Sequence, residues 1–181
     1  MFVNFTKIDY LQTGNLRQQA AFGTLQQVKV FEVLKAYFPI LTGTIPIEID
    51  IKNSDMDVIC CVENHAAFAD TLKENFQDYP NFSLWNYRYK NLETTVASFY
   101  AAPFEIEIFG QNIPTEKQNA YLHMLIEHAV LQEKGETFRQ QVLQLKQSGI
   151  KTEPAFAQLL NLTGDPFEAL LEYGKIHFGI G

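Results

Sequence analysis

The chain has 181 residues, of which 46% are hydrophobic, 13% aromatic and 19% charged. That size and composition fit one globular domain with a sizeable core and exclude a disordered chain. A formal net charge of −7, from 14 basic and 21 acidic side chains, excludes the strong basic footprint of a duplex nucleic-acid binder.

In chain order, residues 1–14 read as an irregular lead-in that ends in a turn at Gly14 and Asn15. The opening "MFVNFTKIDYLQ" lacks the basic start and apolar stretch of a secretory signal, and no run reaches the length of a membrane span. The expectation is a cytoplasmic protein without membrane contact. "LRQQAAFGTLQQVKVFEVLKAYF" favours helix, with Gly23 expected to break it in two and Leu25, Val28, Phe31, Val33, Leu34 and Phe38 forming an apolar stripe. Pro39 ends the helix, and "PILTG" reads as a short strand. In "TIPIEIDI", Ile45, Ile47, Ile49 and Ile51 alternate with Pro46, Glu48 and Asp50, so a half-exposed strand or hairpin arm is expected. After the turn "KNS", "DMDVICCV" is apolar on both faces beyond its acidic start, as a central strand should be. Its adjacent Cys60 and Cys61 point to opposite faces of a strand and read as free thiols of a reducing compartment.

"NHAAFADTLKENFQDY" is an amphipathic helix with Asn64 as its cap. "FSLWNYRYK" and "TVASFYAAP" are β-rich and separated by the polar "NLET". The aromatics of the first alternate with polar residues, which admits base stacking, but in an acidic chain packing in a sheet is the expected role. "FEIEIFG" is a strand with Glu105 and Glu107 on one face. From about residue 114 the pattern is helical: "TEKQNAYLHMLIEHAVLQEK", "GETFRQQVLQLKQ" and two short helices. Thr152 or Glu153 before Pro154, and Asp165 before Pro166, are the expected starts of those two. The fold class is α+β: a mixed sheet of about five strands with flanking helices, over 24–110, and a helical layer over 114–175, within a single domain.

Asp55 and Asp57 raise the functional question. Residues i and i+2 of a strand point the same way, so two carboxylates stand about 7 Å apart at the mouth of an apolar run. Neither is cheap to desolvate, and they repel. A divalent cation turns that repulsion into ligation, and Mg²⁺ in particular takes one or two carboxylates plus substrate phosphates. Glu105 or Glu107 supplies a third acid for a two-metal clamp. Upstream, Gly43 lets backbone N–H groups approach an anion, and Thr44 adds a hydroxyl. The bland alternative is that both aspartates cap the strand in solvent, with Ser54 in a turn.

The run "LTGT", the ten residues "IPIEIDIKNS", then "DMDV" and later "FEIEIF" resembles the nucleotidyltransferase superfamily, which includes DNA polymerase beta and the antibiotic-modifying nucleotidyltransferases. That family carries a Gly-Gly or Gly-Ser turn, an Asp-x-Asp/Glu strand about ten residues on, and a carboxylate on a distant strand. The whole chain also resembles an uncharacterised bacterial family of this length, a domain of unknown function, in "LRQ", "GTIPI", "SDMD", "EIFGQ", "QNAYLHM" and "GIKTEPAFA". The resemblance implies that Asp55, Asp57 and Glu107 hold Mg²⁺ or Mn²⁺, with Glu107 preferred to Glu105. It implies that Gly43, Thr44 and Ser54 line the triphosphate of a nucleoside triphosphate. The implied activity is transfer of NMP to a hydroxyl acceptor that the sequence does not name. Because the ten linking residues alternate like a strand, an inactive nucleotide- or partner-binding module of the same fold is the second reading. A metal-dependent hydrolase is the third.

Three further features have a structural and a functional reading. Arg17 and Gln18 are exposed helix residues, or Arg17 grips phosphate. Lys151 precedes a helix start, where it is solvated or neutralises phosphate. His123 and Glu127 share a helical face, with His128 turned aside, so His123 is structural or touches substrate. No Walker loop, dinucleotide fingerprint or serine-hydrolase elbow occurs.

Overall fold

The computed structural model describes residues 3–89 and 91–181, and the side chain of Tyr89 is outside that description. Lys90, the last residue of the expected "FSLWNYRYK" strand, and the first two residues of the lead-in lie outside it. The chain divides into two compact units, Met1–Thr42 with Ser54–Glu116, and Gly43–Asn53 with Lys117–Gly181. Among the described residues there are five strands and six α-helices. No helix among them is long and apolar enough to cross a membrane.

The first unit is built on one sheet. Its strands are β1 (Ile40–Thr42), β2 (Met56–Cys61), β3 (Ser83–Tyr89), β4 (Leu92–Ala101) and β5 (Phe104–Gln111), in the order β1-β2-β5-β4-β3. β2 and β5 run parallel, while the other neighbours are antiparallel, which is the mixed sheet expected of the sequence. β5 shows why one face is apolar: Phe104, Ile106 and Ile108 are buried in alternation with exposed Glu105 and half-buried Glu107. The register aligns that apolar face with Met56 and Val58 of β2 and with Ala97 and Phe99 of β4.

Helix α3 (His65–Phe76) covers this face. Asn64 caps it as expected, accepting a hydrogen bond from the Ala67 N–H at 3.1 Å. Phe68, Leu72 and Phe76 are fully buried beneath it, and Phe76 stacks on Phe99 with ring centroids 4.9 Å apart. Each such side chain contributes about 1.5–3 kcal/mol of hydrophobic stabilisation. Gly110 of β5 lets the helix come close, since a Cβ there would meet the Phe68 ring and Val62.

Several expectations are corrected in this unit. The lead-in contains a 3₁₀ segment, Asp9–Thr13. Helix α1 (Leu16–Val28) runs through Gly23 without a break, because one glycine costs a helix only about 1 kcal/mol against thirteen residues of favourable context. The break falls at Lys29, in the left-handed conformation with φ 59°, before the single turn α2 (Val30–Val33). Leu25, Val28 and Leu34 of the expected stripe are buried, whereas Phe38 is left-handed and 69% exposed. "NLET" is not a separator, since β4 begins at Leu92. Trp85 and Tyr87 are not packed into the sheet: β3 is an edge strand with a neighbour on one side only, and they are 41% and 43% exposed. Cys60 is buried and Cys61 half-buried, and neither is in a disulfide.

The second unit is helical. α4 (Asn119–Gln147), α5 (Thr152–Leu159) and α6 (Pro166–Phe178) pack on one another. α4 is kinked at Gly135, whose φ of 75° and ψ of −167° separate the two helices read from the sequence. Asp165 caps α6 as expected, accepting from the Phe167 and Glu168 N–H groups. For α5 the cap is Lys151, without a side-chain bond, and Thr152 and Glu153 already lie inside the helix.

The segment 43–53 belongs to this unit and overturns the strand expected for "TIPIEIDI". Its backbone closes on itself: the Glu48 N–H donates to the Ile45 carbonyl at 3.3 Å, and the Ile49 N–H to the Thr44 carbonyl at 3.1 Å. Pro46 has no N–H for a ladder, and Glu48 takes φ 61°, so the chain turns. Ile45, Pro46, Ile47 and Ile49 are all buried. The alternation therefore marks buried side chains of a turn, not the faces of a strand.

Two stability measurements follow from these packing details. Gly110→Ala should destabilise the protein by about 1–3 kcal/mol through overpacking against Phe68, seen as a lower denaturant midpoint. In the helical unit, burial and then the Glu153 charge hold the Glu127 carboxyl well above the usual carboxylate range, against a lowering by Lys146. The folded chain thus keeps a proton that the unfolded chain releases near the ordinary value of 4.5. This contribution to stability is complete below that value and is lost as pH rises towards the folded-state pKa. Glu127→Gln should flatten that part of the decline in a series of thermal melts from acid to alkaline pH.

Candidate active site

β2 begins at Met56, so Asp55 is the last residue of its lead-in and is exposed, while Asp57 is the second strand residue and half-buried. Parallel pairing sets Glu107 directly opposite Asp57, at the strand separation of about 4.8 Å. Glu105 stands two residues earlier on the same face and is exposed. Asp57, Glu105 and Glu107 of two adjoining strands therefore share one face, opposite to the one that α3 covers, and Asp55 immediately precedes β2. The effect is visible on Glu107, whose pKa is raised by burial first and then by the charges of Asp55 and Glu105.

The register separates the two glutamates that the sequence leaves open. Glu107 is the partner of Asp57, whereas Glu105 lies opposite Tyr100 and accepts a hydrogen bond from the Ser98 hydroxyl at 3.4 Å. On the other side of β2, Thr42 is the partner of Asp57, and its hydroxyl donates to the Asp57 carbonyl at 3.4 Å. Ser98 and Thr42 escape sequence reading because only pairing register places them beside the acids.

The remaining predicted residues are distributed as follows. Arg17 is half-buried on α1; its Nη2 donates to the Ser54 carbonyl at 3.2 Å, and its Cζ lies 4.5 Å from the Phe104 ring centroid. The guanidinium thus steadies the lead-in to Asp55 from one side and stacks on the first residue of β5 from the other. Ser54 is half-buried. Gln18 is not an exposed helix residue: it is 3% exposed and completes a capping box with Asn15 at 3.0 Å in both directions.

Gly43 and Thr44 open the 43–53 segment, immediately after Thr42 in the chain, and Gly43 takes φ 82°, a conformation that suits glycine. Lys151 is exposed at the start of α5. His123 is buried, with Nε2 3.0 Å from the Phe167 carbonyl and Nδ1 3.8 Å from a Glu153 carboxylate oxygen. Those contacts give it a structural role. In the sheet unit Asp57 pairs with Glu107 and the charge of Asp55 acts on Glu107, while Arg17 bonds the Ser54 carbonyl and stacks on Phe104, a residue of the opposite face.

The donor set consists of carboxylate oxygens, which suit a hard divalent cation. The Glu107 pKa is raised by burial first, and the charges of Asp55 and Glu105 add to it. Among the described residues, no three His, Cys, Asp or Glu side chains lie close enough together to enclose a metal ion.

Solved structures share this fold. The Cid1 poly(U) polymerase with Mg 3′-dATP bound matches with a TM-score of 0.54 at 14% identity, over 84% of this chain and 46% of that one. The same polymerase with MgGTP bound gives 0.51 at 16% identity, over 76% and 42%. The GLD-2/RNP-8 complex gives 0.52 at 14% identity, over 84% and 60%. The chain spans about half the length of these structures, and what it shares with them is the nucleotidyltransferase fold. No curated protein matches it. Its match over residues 23–173 makes the chain a member of the family described as a domain of unknown function (DUF4269).

Proposed function

We propose that the protein is a metal-dependent nucleotidyltransferase that moves NMP from a nucleoside triphosphate to a hydroxyl acceptor. The observation that carries this reading is the parallel register of Asp57 with Glu107, with the charge of Asp55 acting on the same glutamate. Asp55, Asp57 and Glu107 would hold Mg²⁺ or Mn²⁺. Bound there, the metal would neutralise charge on the transferring phosphoryl group and its leaving oxygens.

The protein's own contribution is placement. Gly43 and Thr44 offer backbone N–H groups and a hydroxyl to the triphosphate, one residue beyond the strand position paired with Asp57. Arg17 fixes the Ser54 carbonyl and with it the approach to Asp55. Ser54, whose carbonyl Arg17 holds, would line the polyphosphate. The acceptor hydroxyl oxygen attacks the α-phosphorus and releases its proton to solvent, the bond from that phosphorus to the bridging oxygen breaks, and pyrophosphate leaves. Most of the rate gain comes from orientation and charge neutralisation. The nucleotide is a small-molecule partner, and the acidic chain has no duplex nucleic-acid footprint. Two cysteines outside any disulfide suit a reducing cytoplasm.

A second reading, an inactive nucleotide- or partner-binding module of the same fold, is favoured by the separation of the acids into fewer than three ligating groups. Thermal unfolding with each of the four nucleoside triphosphates separates the two together with a transfer assay. Binding to the proposed site should raise the melting temperature only when Mg²⁺ is present. Asp57→Asn should lose that stabilisation, and all NMP transfer, while keeping the melting temperature of the free protein. Stabilisation that survives Asp57→Asn undiminished overturns the site.

The pH dependence has a defined sign. Metal binding needs Glu107 ionised, and its pKa stands above the ordinary value of 4.5, so Mn²⁺ affinity should fall on acidification before ordinary carboxylates protonate. Asp55→Asn removes one of the charges responsible and should move the Glu107 carboxyl titration downward, as followed by carbon NMR.

A further inference from the structure

The 43–53 segment raises a question about hydrogen-bond accounting. It has no ladder partner, so its backbone polar groups must find others. Thr44 and Ile45 accept from Ile49 and Glu48 within the turn. The carbonyls of Ile47 and Glu48 both accept from one side chain on α4. Arg139 Nη1 donates to the Ile47 carbonyl at 2.7 Å and to the Glu48 carbonyl at 3.1 Å.

This contact holds the turn where its conformation is least favourable. Glu48 is a non-glycine residue at φ 61°, a conformation that persists only when its surroundings fix it. The guanidinium is itself held: Arg139 Nε lies 3.4 Å from a Glu136 carboxylate oxygen, and the Arg139 side chain is largely buried. Burial first, and then the Arg139 charge, keep the His128 imidazole below the usual range, partly offset by Glu48. A rigid fork of donors with no acceptor is suited to gripping consecutive carbonyls, which an ammonium group does less well.

We propose that Arg139 is a positioning residue for nucleotide binding: it fixes the turn whose first residues, Gly43 and Thr44, receive the triphosphate, without touching substrate itself. The inference rests on the proposed function of Gly43 and Thr44. It assigns a role to a helix residue 91 positions from the nearer carbonyl it holds.

The test uses the full chain and two separate affinities. Mn²⁺ alone probes Asp55, Asp57 and Glu107. ATP, CTP, GTP and UTP, each with Mg²⁺, probe the nucleotide site by titration calorimetry. Arg139→Ala should weaken nucleotide binding about tenfold or more and leave Mn²⁺ affinity unchanged. Arg139→Lys should recover part of the loss. Amide hydrogen exchange over 45–51 should rise in Arg139→Ala and stay at the wild-type level in Asp57→Asn. A general structural defect would instead lower both affinities and raise exchange throughout; Arg139→Lys then supplies the folded comparison. Unchanged nucleotide affinity in Arg139→Ala, or unchanged exchange over the turn, overturns the positioning role while the proposed activity stands. A wild-type chain that binds none of the four nucleotides overturns the proposed function itself, and this role with it.

Discussion

Parallel pairing of β2 with β5 is the constraint on which the candidate site depends. In that register every residue of β2 from Met56 to Cys61 has a fixed partner from Ile106 to Gln111, and Asp57 has Glu107. A slip of β2 by one residue would turn Asp57 into the face that α3 buries, where an unpaired charge is far more costly than any packing gain. The apolar residues that alternate with the acids therefore do two jobs. They make the core, and by making it they hold the acids on the opposite face.

That arrangement sets stability against function. Carboxylates from adjoining strands, with Asp55 and Glu105 nearby, are a poor choice for a sheet whose only purpose is to fold. The raised Glu107 pKa records the cost. The compensation lies across the sheet, where Phe68, Phe76, Phe99 and Phe104 are fully buried and aromatic rings stack at close range. A local cost maintained by a strong core is the pattern expected where binding, and not stability, selects the residues. Glu127 in the helical unit is a different case: it is buried, and the charged groups that act on it, Glu153 and Lys146, belong to the same unit.

Much of the sheet unit was legible in the sequence because its signals are local. The acidic start and apolar run of β2, the alternation in "FEIEIF", and the Asn64 cap each depend on neighbours a few residues away. The pairing that turns these strands into a site is not local, and Ser98 and Thr42 carry no signal of their own. Gly23 and Lys29 show a different failure. A glycine punctuates a helix only weakly, whereas the left-handed residue that ends α1 is a lysine, which no composition rule marks. At Trp85 and Tyr87 the error was one of position in the sheet: alternation in β3 is real, but an edge strand has half the neighbours needed to bury it.

The least legible part was the connection between β1 and β2, and the reason is physical. Four isoleucines at every second position imply burial of alternate side chains, and a strand is only one way to achieve it. The other way is a turn that buries Ile45, Pro46, Ile47 and Ile49 while Glu48 stays exposed, and such a turn leaves carbonyls without a ladder. In this chain guanidinium groups answer that need: Arg17 bonds the Ser54 carbonyl, and Arg139 bonds those of Ile47 and Glu48. Both arginines come from helices distant in sequence, and Arg139 belongs to a part of the chain that carries no nucleotide-binding pattern. The segment between the glycine turn and the acid pair is therefore shaped by side chains outside it. Its conformation is a tertiary property, and no reading of its own residues could have supplied it.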